Sequence, residues 1–481
     1  MCWNVVEFLR KLKIRRKNNM KNTVELLGSK DDICSAFVNF LRELFVKDLP
    51  SIQNQLTLFC VATVMLNACS SLRFLYMHAL NMLTNIHINN FYNAINNESH
   101  QDYWRKILIQ LALSVMASGN TDLPILLIID DTLVEKYGKK FDDVATLYDH
   151  CARTGSNYLN GHCFVSLILG IPVLHNGKTR YIRVPIEHRL WIPNEDKTTV
   201  KDESNKLQLA YAMISEALDI MGSNHKYAIF ADAWYAKAPI TQFIQREDIQ
   251  IGMVCATRVD AKLYHLPGEY KGKGRRPLYG DEININKIPL SDIPGTKHRA
   301  AHIRGKARIF GNVEVSIFVT EPKSGGKRRV FIATDNTLFA NIDPAMLPID
   351  KDYIRFLKDH IEFLPLATYC LRWMVEVVYY EQKMFWGLQN YRLRSENGFI
   401  TQINLNSVLY GLLSLIPFLD KRFEFMAELS VQERRFKVGE AIRHKFILAT
   451  FAKKCESLEN ITDITNVYEN TLNEVLATIS Q

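Results

Sequence analysis

Apolar residues recur every three or four positions through the first 115 residues, as in "DICSAFVNFLRELFV" at positions 32–46. This spacing places the apolar side chains on one face of an α-helix. The segment also contains almost no glycine or proline, the residues that most often interrupt helices. We therefore predict a helical region over residues 1–118.

From residue 122 the chain changes to continuous apolar runs, which are typical of strands buried on both faces of a sheet. The first run, "PILLIIDDT", ends in two aspartates, and "KYAIFADAWY" (226–235) carries an aspartate at a similar place. Helical spacing predicts a helix over about 201–222. Further strands are predicted at 161–174, 179–187 and 249–258. The pattern indicates a mixed α/β sheet with acids at the carboxyl ends of its central strands, where such sheets bind ligands.

The helical pattern disappears after residue 259 and returns after residue 350. Alternating stretches such as "ARIFGNVEVSIFVT" predict a β-rich insertion between these points. The predicted order is a helical domain, an α/β core interrupted by the insertion, and a helical carboxyl-terminal region. The corresponding boundaries are 1–118, 119–258, 259–345, 346–425 and 426–481.

The segment "YCLRWMVEVVYYEQK" reads as a half-buried helix that carries four polar groups, at offsets of 0, 3, 7 and 14 from its first residue. At about 100° per residue these groups fall within one arc of about 60°. Such a face is either a solvated stripe or one wall of an active site. The four residues are Tyr369, Arg372, Glu376 and Lys383.

Composition limits the class of protein. With 47 % hydrophobic residues over 481 positions, the chain can bury a large core. Its nine cysteines form no C-x-x-C pair, which favours reduced thiols of a cytosolic protein over a disulfide framework or a zinc ribbon. No secretory signal pattern is evident, and the longest apolar runs (56–66 and 408–419) are too short to span a bilayer. We expect a soluble intracellular protein.

The formal charge of +8 is concentrated between residues 261 and 330, which hold 15 Lys or Arg against 6 Asp or Glu. Within this stretch the loop "YKGKGRRPLYG" interleaves basic residues with glycines and tyrosines, so that its backbone can approach a duplex closely. Its basic residues are Lys271, Lys273, Arg275 and Arg276. A second basic cluster lies at 10–21 and suits a phosphate backbone, which predicts that the helical domain 1–118 binds DNA. The alternative for each cluster is a solvated, flexible segment.

Three acidic positions are candidate metal ligands: one of the "IDDT" aspartates, Asp232 and Glu376. Carboxylates that share a site repel one another and raise each other's pKa. Mg²⁺ and Mn²⁺ relieve that repulsion, and two such ions can activate an attacking oxygen and stabilise a leaving oxygen in phosphoryl transfer. Taken singly, an aspartate at a strand end is more often a turn or helix cap. The set of three therefore carries the prediction.

The chain resembles the DDE transposases of bacterial insertion sequences, which are built on an RNase H-like fold. One subgroup carries a Y-x2-R-x3-E-x6-K signature around its catalytic glutamate, and the four residues of the helical face match it at every position. "IDDT" and "FADAWY" resemble the strand ends that carry the two catalytic aspartates, and a β-rich insertion is a subgroup feature. The resemblance covers about 120–425 and implies an RNase H-like mixed sheet core interrupted by that insertion.

The resemblance leaves a choice between the two aspartates of "IDDT". The family's aspartate is usually followed directly by Thr or Ser, which favours Asp131 over Asp130. Because successive strand residues face opposite ways, only one of the pair is expected to meet the metal. Asp130 would then cap the strand or lie behind the metal ligands.

The resemblance also implies a role for each residue of the signature. Asp131, Asp232 and Glu376 would hold two Mg²⁺ or Mn²⁺ ions. Arg372 and Lys383 would hold phosphates that flank the scissile bond, and the Tyr369 hydroxyl would bond a phosphate oxygen near the cut.

Members with this signature often cleave through a hairpin, with a base flipped onto a tryptophan of the insertion. No tryptophan lies between Trp234 and Trp373 in this chain. Either another aromatic residue takes that place or the hairpin step is absent. The candidate replacements are Tyr264, Tyr270, Tyr279 and Phe310.

The implied function is metal-dependent DNA cleavage and strand transfer at insertion-sequence ends. The expected partners are double-stranded DNA, as terminal inverted repeats and target, and a second copy in a homodimer that the basic tail after residue 430 would contact; no membrane is expected. The expected location is the nucleoid in a prokaryotic cytoplasm. Two alternatives remain open: an inactive DNA-binding protein descended from a transposase, and another RNase H-like nuclease.

Overall fold

The computed structural model describes residues 32–66, 71–97, 100–119, 122–138, 140–149, 155–193, 205–270, 272, 275–455 and 469–473. These residues divide into two compact units. The first contains the described residues up to Trp104, Met384–Leu409 and the described residues from Asp420 onward. The second contains Arg105–Lys383 and Tyr410–Leu419. The insertion therefore belongs to the same unit as the α/β core.

The α-helices follow the helical pattern of the sequence at both ends of the chain. A π-helix, Tyr76–Leu80, lies between the short helices Leu72–Leu75 and Asn81–Leu83. In chain order the helices are α1 Ile33–Leu44, α2 Pro50–Leu66, α3 Leu72–Leu75, α4 Asn81–Leu83, α5 Ile88–Asn96, α6 Gln101–Gly119, α7 Lys206–Met221, α8 Lys351–Asp359, α9 Leu364–Thr368, α10 Met374–Phe385, α11 Glu396–Leu419 and α12 Val431–Cys455.

The first unit is helical. The helix α1 begins after Asp32, whose carboxylate accepts a hydrogen bond from a backbone amide of the first turn and so caps the helix. Its apolar face follows the three-and-four spacing, with Phe37, Leu41 and Leu44 buried. The helix α2 is buried on all sides from Leu56 onward, so it is the central element of this unit.

Two basic residues of α12 are internal. Arg434 is buried and donates to two backbone carbonyls of the segment before α12. Arg435 is 0 % exposed, donates to the carbonyl of Thr63 at 2.7 Å and lies 4.5 Å from the ring centre of Trp386. The sequence suggested a basic tail available to a partner protomer; these two residues are instead core components, because a guanidinium can saturate several carbonyls at once.

One helix among the described residues, α11, is long and apolar enough by composition to cross a membrane. Its most apolar window is 94 % buried inside the protein, as expected for a core helix.

The strands form one mixed sheet. They are β1 Ile125–Glu135, β2 Ala145–Tyr148, β3 Tyr158–His175, β4 Lys178–Trp191, β5 Lys226–Ala231, β6 Gln250–Thr257, β7 Leu263–His265, β8 Ser291–Asp292, β9 His298–Ala307, β10 Glu314–Pro322 and β11 Arg329–Ala333. Their order is β2-β3-β1-β5-β6-β11-β10-β9-β7, with β4 also paired to β3 and β8 to β9.

The first half of the sheet combines both pairing types. The strands β4, β3 and β1 are antiparallel neighbours, whereas β1, β5 and β6 run parallel. The β3–β4 hairpin turns at Asn176 and Gly177, which both have positive φ (51° and 71°), as a two-residue hairpin loop requires. The prediction of a mixed α/β sheet with helical regions at both ends is confirmed.

The β-rich stretch extends this sheet. The strand β11 pairs antiparallel with β6, and β10, β9 and β7 follow in order. An open edge of β6 would leave a row of backbone groups unpaired, and β11 satisfies them. The stretch is therefore a continuation of the core sheet.

Candidate active site

Asp130 and Asp131 lie inside β1, at the point where its pairing with β5 ends. The parallel register with β5 runs from Ile125 to Ile128, whereas the pairing with β3 continues to Glu135. The sequence predicted a strand end here; the strand continues because β3 is long enough to pair with it. Side chains of successive strand residues point to opposite faces, so the two aspartates have different surroundings.

The two aspartates bind different partners. Oδ2 of Asp130 accepts a hydrogen bond from Arg372 Nη1 at 2.9 Å, and the Asp130 side chain is 15 % exposed. Oδ2 of Asp131 lies 2.7 Å from Nζ of Lys206, and Oδ1 accepts a hydrogen bond from the Tyr235 hydroxyl at 3.1 Å. Both carboxylates are therefore paired, Asp131 with a lysine and Asp130 with the arginine of the predicted signature.

Asp232 directly follows β5, the parallel neighbour of β1. Its Oδ1 accepts hydrogen bonds from the backbone amides of Trp234 at 2.9 Å and Tyr235 at 3.1 Å, so it caps its own turn. The carboxyl ends of parallel neighbours meet at the same edge of a sheet. Because a carboxylate has two oxygens, capping through one of them is compatible with a ligand role.

Glu376 lies in the first turn of α10, and its side chain is 38 % exposed. Oε1 of Glu376 lies 3.2 Å from Nη2 of Arg372, while Nη1 of the same guanidinium donates to Asp130. One planar side chain therefore joins a carboxylate of β1 to a carboxylate of α10.

Electrostatic interactions connect the third acid to this pair. Burial raises the pKa of Asp130 to about 7; Arg372 acts against this rise, and the negative charges of Asp232 and Glu376 add to it. Geometrically, Arg372 joins Asp130 to Glu376, and Asp232 follows β5 at the edge where β1 leaves the register with β5, so the three acids belong to one edge of the sheet.

The geometry favours Asp130 over Asp131 as the first catalytic acid, and the choice between them stays a prediction. Asp131 was preferred because a threonine follows it, but it lies on the face of β1 that holds Lys206. Asp130 is the aspartate that Arg372 links to Glu376. The motif could not decide between the two positions, because the face of a strand that meets the other acids depends on how the sheet is packed.

The signature residues lie on two helical forms instead of one continuous α-helix. Tyr369 and Arg372 belong to a 3₁₀ segment, Tyr369–Trp373, whereas Glu376 and Lys383 belong to α10. In a 3₁₀ turn, side chains three apart still share a face. The Tyr369 hydroxyl donates to the carbonyl of Ala231 at 3.2 Å, directly before Asp232. Contacts of Tyr369, Arg372 and Lys383 with phosphate remain predictions.

A sequence profile described as DDE superfamily endonuclease matches residues 53–308, just over half of the chain. The chain belongs to this family of DDE endonucleases. The matched segment includes Asp130 and Asp131 in β1 and Asp232 directly after β5, and it ends before Glu376. Among solved structures, a cryo-EM structure of the piggyBac transposase synaptic complex with hairpin DNA is similar at a TM-score of 0.41 and 13 % identity, covering 95 % of this chain and 86 % of that chain. A comparison with curated proteins gave no match.

The basic loop of the DDE endonuclease is described only in part. Lys271 and Lys273 lie outside the described residues. Arg275 and Arg276 are exposed. Contact of these four residues with DNA remains a prediction.

The aromatic residues considered for base stacking differ in exposure. Phe310 is 0 % exposed, and the rings of Tyr264 and Tyr279 pack on each other at 4.7 Å. Tyr270 is 45 % exposed. Of these four residues, Phe310 is therefore unable to receive a base without unfolding of its surroundings.

Sequence reasoning missed the residues that surround Asp131. Nζ of Lys206 lies 4.5 Å from the ring centre of Trp191 and 5.6 Å from that of Trp234. An ammonium over an aromatic face is a favourable cation–π contact. These residues come from β1, β4, α7 and the turn after β5, so no motif connects them and only the fold brings them together.

The donor set fits a divalent cation. Asp130, Asp232 and Glu376 supply carboxylate oxygens, the ligands that Mg²⁺ and Mn²⁺ prefer. Arg372 is the cation paired with Asp130 and Glu376, so two carboxylates share one guanidinium. Among the described residues, no three His, Cys, Asp or Glu side chains are already gathered into a metal-ligand cluster. The three acids thus supply oxygen ligands for a cation without forming a closed cluster of ligands.

We predict that the free energy of unfolding in EDTA falls as the pH rises from 4 to 8. The pKa of Asp130 is raised from 3.8 to about 7 in the folded protein. Below pH 4 the carboxyl is protonated in both the folded and the unfolded protein. Because the pKa is raised only in the folded protein, the stability that the protonated carboxyl contributes is lost as the pH rises through 7. At about 1.4 kcal/mol per pKa unit, the loss is at most about 4 kcal/mol. Urea unfolding at pH 5 and pH 8 measures it. Asp130→Asn should show a smaller loss, and an equal loss in both proteins would contradict the prediction.

Proposed function

We propose that this DDE endonuclease is a transposase that cleaves DNA at the ends of an insertion sequence and joins the freed strand to target DNA. One observation carries the proposal: Arg372 joins Asp130 to Glu376 at the edge where β1 and β5 diverge, and Asp232 directly follows β5 at that edge. A partly buried group of carboxylates with a single arginine is an uncommon arrangement for stability alone, because like charges raise each other's pKa.

Two Mg²⁺ or Mn²⁺ ions bound by these carboxylates would activate the attacking oxygen and stabilise the leaving oxygen of a phosphodiester. The residues of the chain orient the reaction. The amides of Trp234 and Tyr235 hold one oxygen of Asp232. Arg372 favours the ionised form of Asp130 and offers a planar fork of donors that matches a phosphate.

We further infer that the core is RNase H-like and that the protein belongs to the bacterial subgroup with the Y-R-E-K signature. The order β4-β3-β1-β5-β6, with α7 crossing between β4 and β5, supports the first inference. The spacing of the four signature residues supports the second. The expected location is then the cytoplasm of a prokaryote, at the nucleoid.

The proposed partners are double-stranded DNA, as terminal inverted repeats and target, and a second copy of the chain. The excess of basic residues between 261 and 330 supports a DNA interface along the extended sheet, because phosphate contacts dominate the affinity of proteins for DNA. Two ends must be cut together in transposition, so we propose a homodimer on DNA.

The test is cleavage of a plasmid that carries the inverted repeats expected on either side of the gene. We expect the protein to nick or cut at the repeat ends with Mg²⁺ and to be inactive in EDTA. Glu376→Ala should retain DNA binding and lose cleavage. If both proteins bind DNA equally and neither cuts, the alternative of an inactive DNA-binding protein is favoured. Cleavage of RNA–DNA hybrids without preference for the repeats would favour another RNase H-like nuclease.

A further inference from the structure

A chain of buried polar side chains lies directly beside the proposed catalytic acids. Ser166 is 0 % exposed, His188 1 %, Gln382 2 % and Tyr379 5 %. Burying a polar group is unfavourable unless it is hydrogen-bonded, so four such groups in contact require a physical reason. None of them belongs to the Y-R-E-K signature or to the metal-ligand set.

The hydrogen bonds of this chain cross three neighbouring strands. Ser166 of β3 is the register partner of Asp130 on one side and of His188 of β4 on the other. Oγ of Ser166 and Nδ1 of His188 are hydrogen-bonded at 2.5 Å. Ser166 of β3 and His188 of β4 are thus in register with Asp130 of β1 across the sheet.

The same chain returns to the helix that carries Glu376. The Tyr379 hydroxyl donates to the backbone carbonyl of Asp130 at 2.9 Å and lies beside Ser166. Gln382, one turn further along α10, lies beside His188 of β4. Tyr379 therefore anchors α10 to β1, and both side chains of α10 lie against the polar residues of β3 and β4.

The hydrogen bond of Tyr379 affects the distance between the carboxylates of Asp130 and Glu376. Tyr379 lies three residues after Glu376, and residues three apart are neighbours on a helix surface. A bond from Tyr379 to the carbonyl of Asp130 thus fixes the rotation and depth of α10 at the level of Glu376. Apolar packing would permit small rotations and shifts, whereas hydrogen bonds restrict direction as well as distance.

We propose that Tyr379, together with Ser166 and His188, positions α10 so that the carboxylates of Asp130 and Glu376 are held ready for the same cations. The proposal rests on the proposed function, since it assumes that these acids bind metal. The network carries no charge at neutral pH, because burial lowers the pKa of His188 to about 4. Tyr379, Ser166 and His188 are positioning residues, and their effect reaches the reaction through the acids.

The test compares two hydroxyl deletions. Tyr379→Phe removes the donor to the carbonyl of Asp130, near the acids. The control, Tyr181→Phe, removes a donor to the carbonyl of Pro124 at 3.0 Å, at the opposite end of β1. Three quantities are measured for each variant. Mn²⁺ binding is followed by electron paramagnetic resonance, Tm in EDTA by thermal unfolding, and the Mg²⁺ dependence of cleavage with repeat DNA as the substrate.

We expect Tyr379→Phe to weaken Mn²⁺ binding about tenfold or more and to shift the Mg²⁺ requirement of cleavage by a similar factor, as for residues that orient metal ligands. Tyr181→Phe should bind Mn²⁺ like the wild type, with a Tm in EDTA close to that of Tyr379→Phe. Ser166→Ala should weaken Mn²⁺ binding as well. The double variant that combines Ser166→Ala with Tyr379→Phe should lose less Mn²⁺ affinity than the product of the two single-variant losses.

Two results would overturn the proposal. In one, Tyr379→Phe binds Mn²⁺ and responds to Mg²⁺ like the wild type; the proposed function then stands if the wild type cleaves. In the other, Tyr379→Phe lowers Tm in EDTA far more than Tyr181→Phe, which would indicate a role in stability alone. A wild-type protein that neither binds Mn²⁺ nor cleaves would reject the proposed function, and the positioning role with it.

Discussion

Asp130→Asn will reduce the rate of DNA cleavage at repeat ends by about a thousandfold or more, whereas Asp131→Asn will retain cleavage within about tenfold. Arg372 links Asp130 to Glu376, and in the proposed function Asp130 is a ligand of the ions that stabilise the transition state, so its loss would remove that ligand. Asp131 pairs with Lys206 on the other face of β1, and an asparagine there loses an ion pair without touching the acid group. Single-turnover cleavage of a labelled repeat end measures both rates.

The two variants control for each other, since they make the same chemical change at adjacent positions of one strand. DNA binding in Ca²⁺ or EDTA should be similar for both. A reversed result, with Asp131→Asn inactive and Asp130→Asn active, would show that the motif rule based on the following threonine was right and that the assignment from the geometry is wrong.

Arg372→Met will lower the free energy of unfolding in EDTA by about 2 to 4 kcal/mol at pH 8. The Arg372 side chain is 14 % exposed and pairs with Asp130 at 2.9 Å and Glu376 at 3.2 Å. Removing one partner of a buried ion pair leaves uncompensated charge, which costs about 3 to 5 kcal/mol; the partial exposure of Glu376 reduces this figure. Urea unfolding provides the measurement, and Mg²⁺ should recover part of the loss by supplying positive charge.

The control for Arg372 is an arginine in an exposed pair. Arg355 lies 2.8 Å from Asp352, and both side chains are more than half exposed. Arg355→Met should change the free energy of unfolding by less than about 1 kcal/mol. Equal effects of Arg372→Met and Arg355→Met would mean that the bridge between the two acids contributes nothing beyond a surface ion pair.

The elements of the core were predictable because their apolar runs are long and bounded. "PILLIIDDT" predicts β1 and "KYAIFADAWY" predicts β5, and both strands are present, with Asp130 and Asp131 inside β1 and Asp232 directly after β5. These are local properties, set by side-chain periodicity and backbone sterics.

The details of the site were less predictable. A period of two places Asp130 and Asp131 on opposite faces, but the sequence does not say which face receives α10. Arg435 reads as a surface charge, yet it is 0 % exposed because backbone carbonyls of distant segments converge on it. The β-rich stretch reads as a separate insertion, yet β11 joins it to β6.

By itself the sequence determined the order of helices and strands, the family of DDE endonucleases and the identity of Asp232 and Glu376 as candidate ligands, because each depends on residues near in the chain or on a motif. Only the tertiary structure decided that Arg372 joins Asp130 to Glu376, that Asp131 pairs with Lys206 and that Tyr379 ties α10 to β1. The reason is that each depends on contacts between residues more than a hundred positions apart or on the choice of a strand face, which short-range periodicity cannot encode.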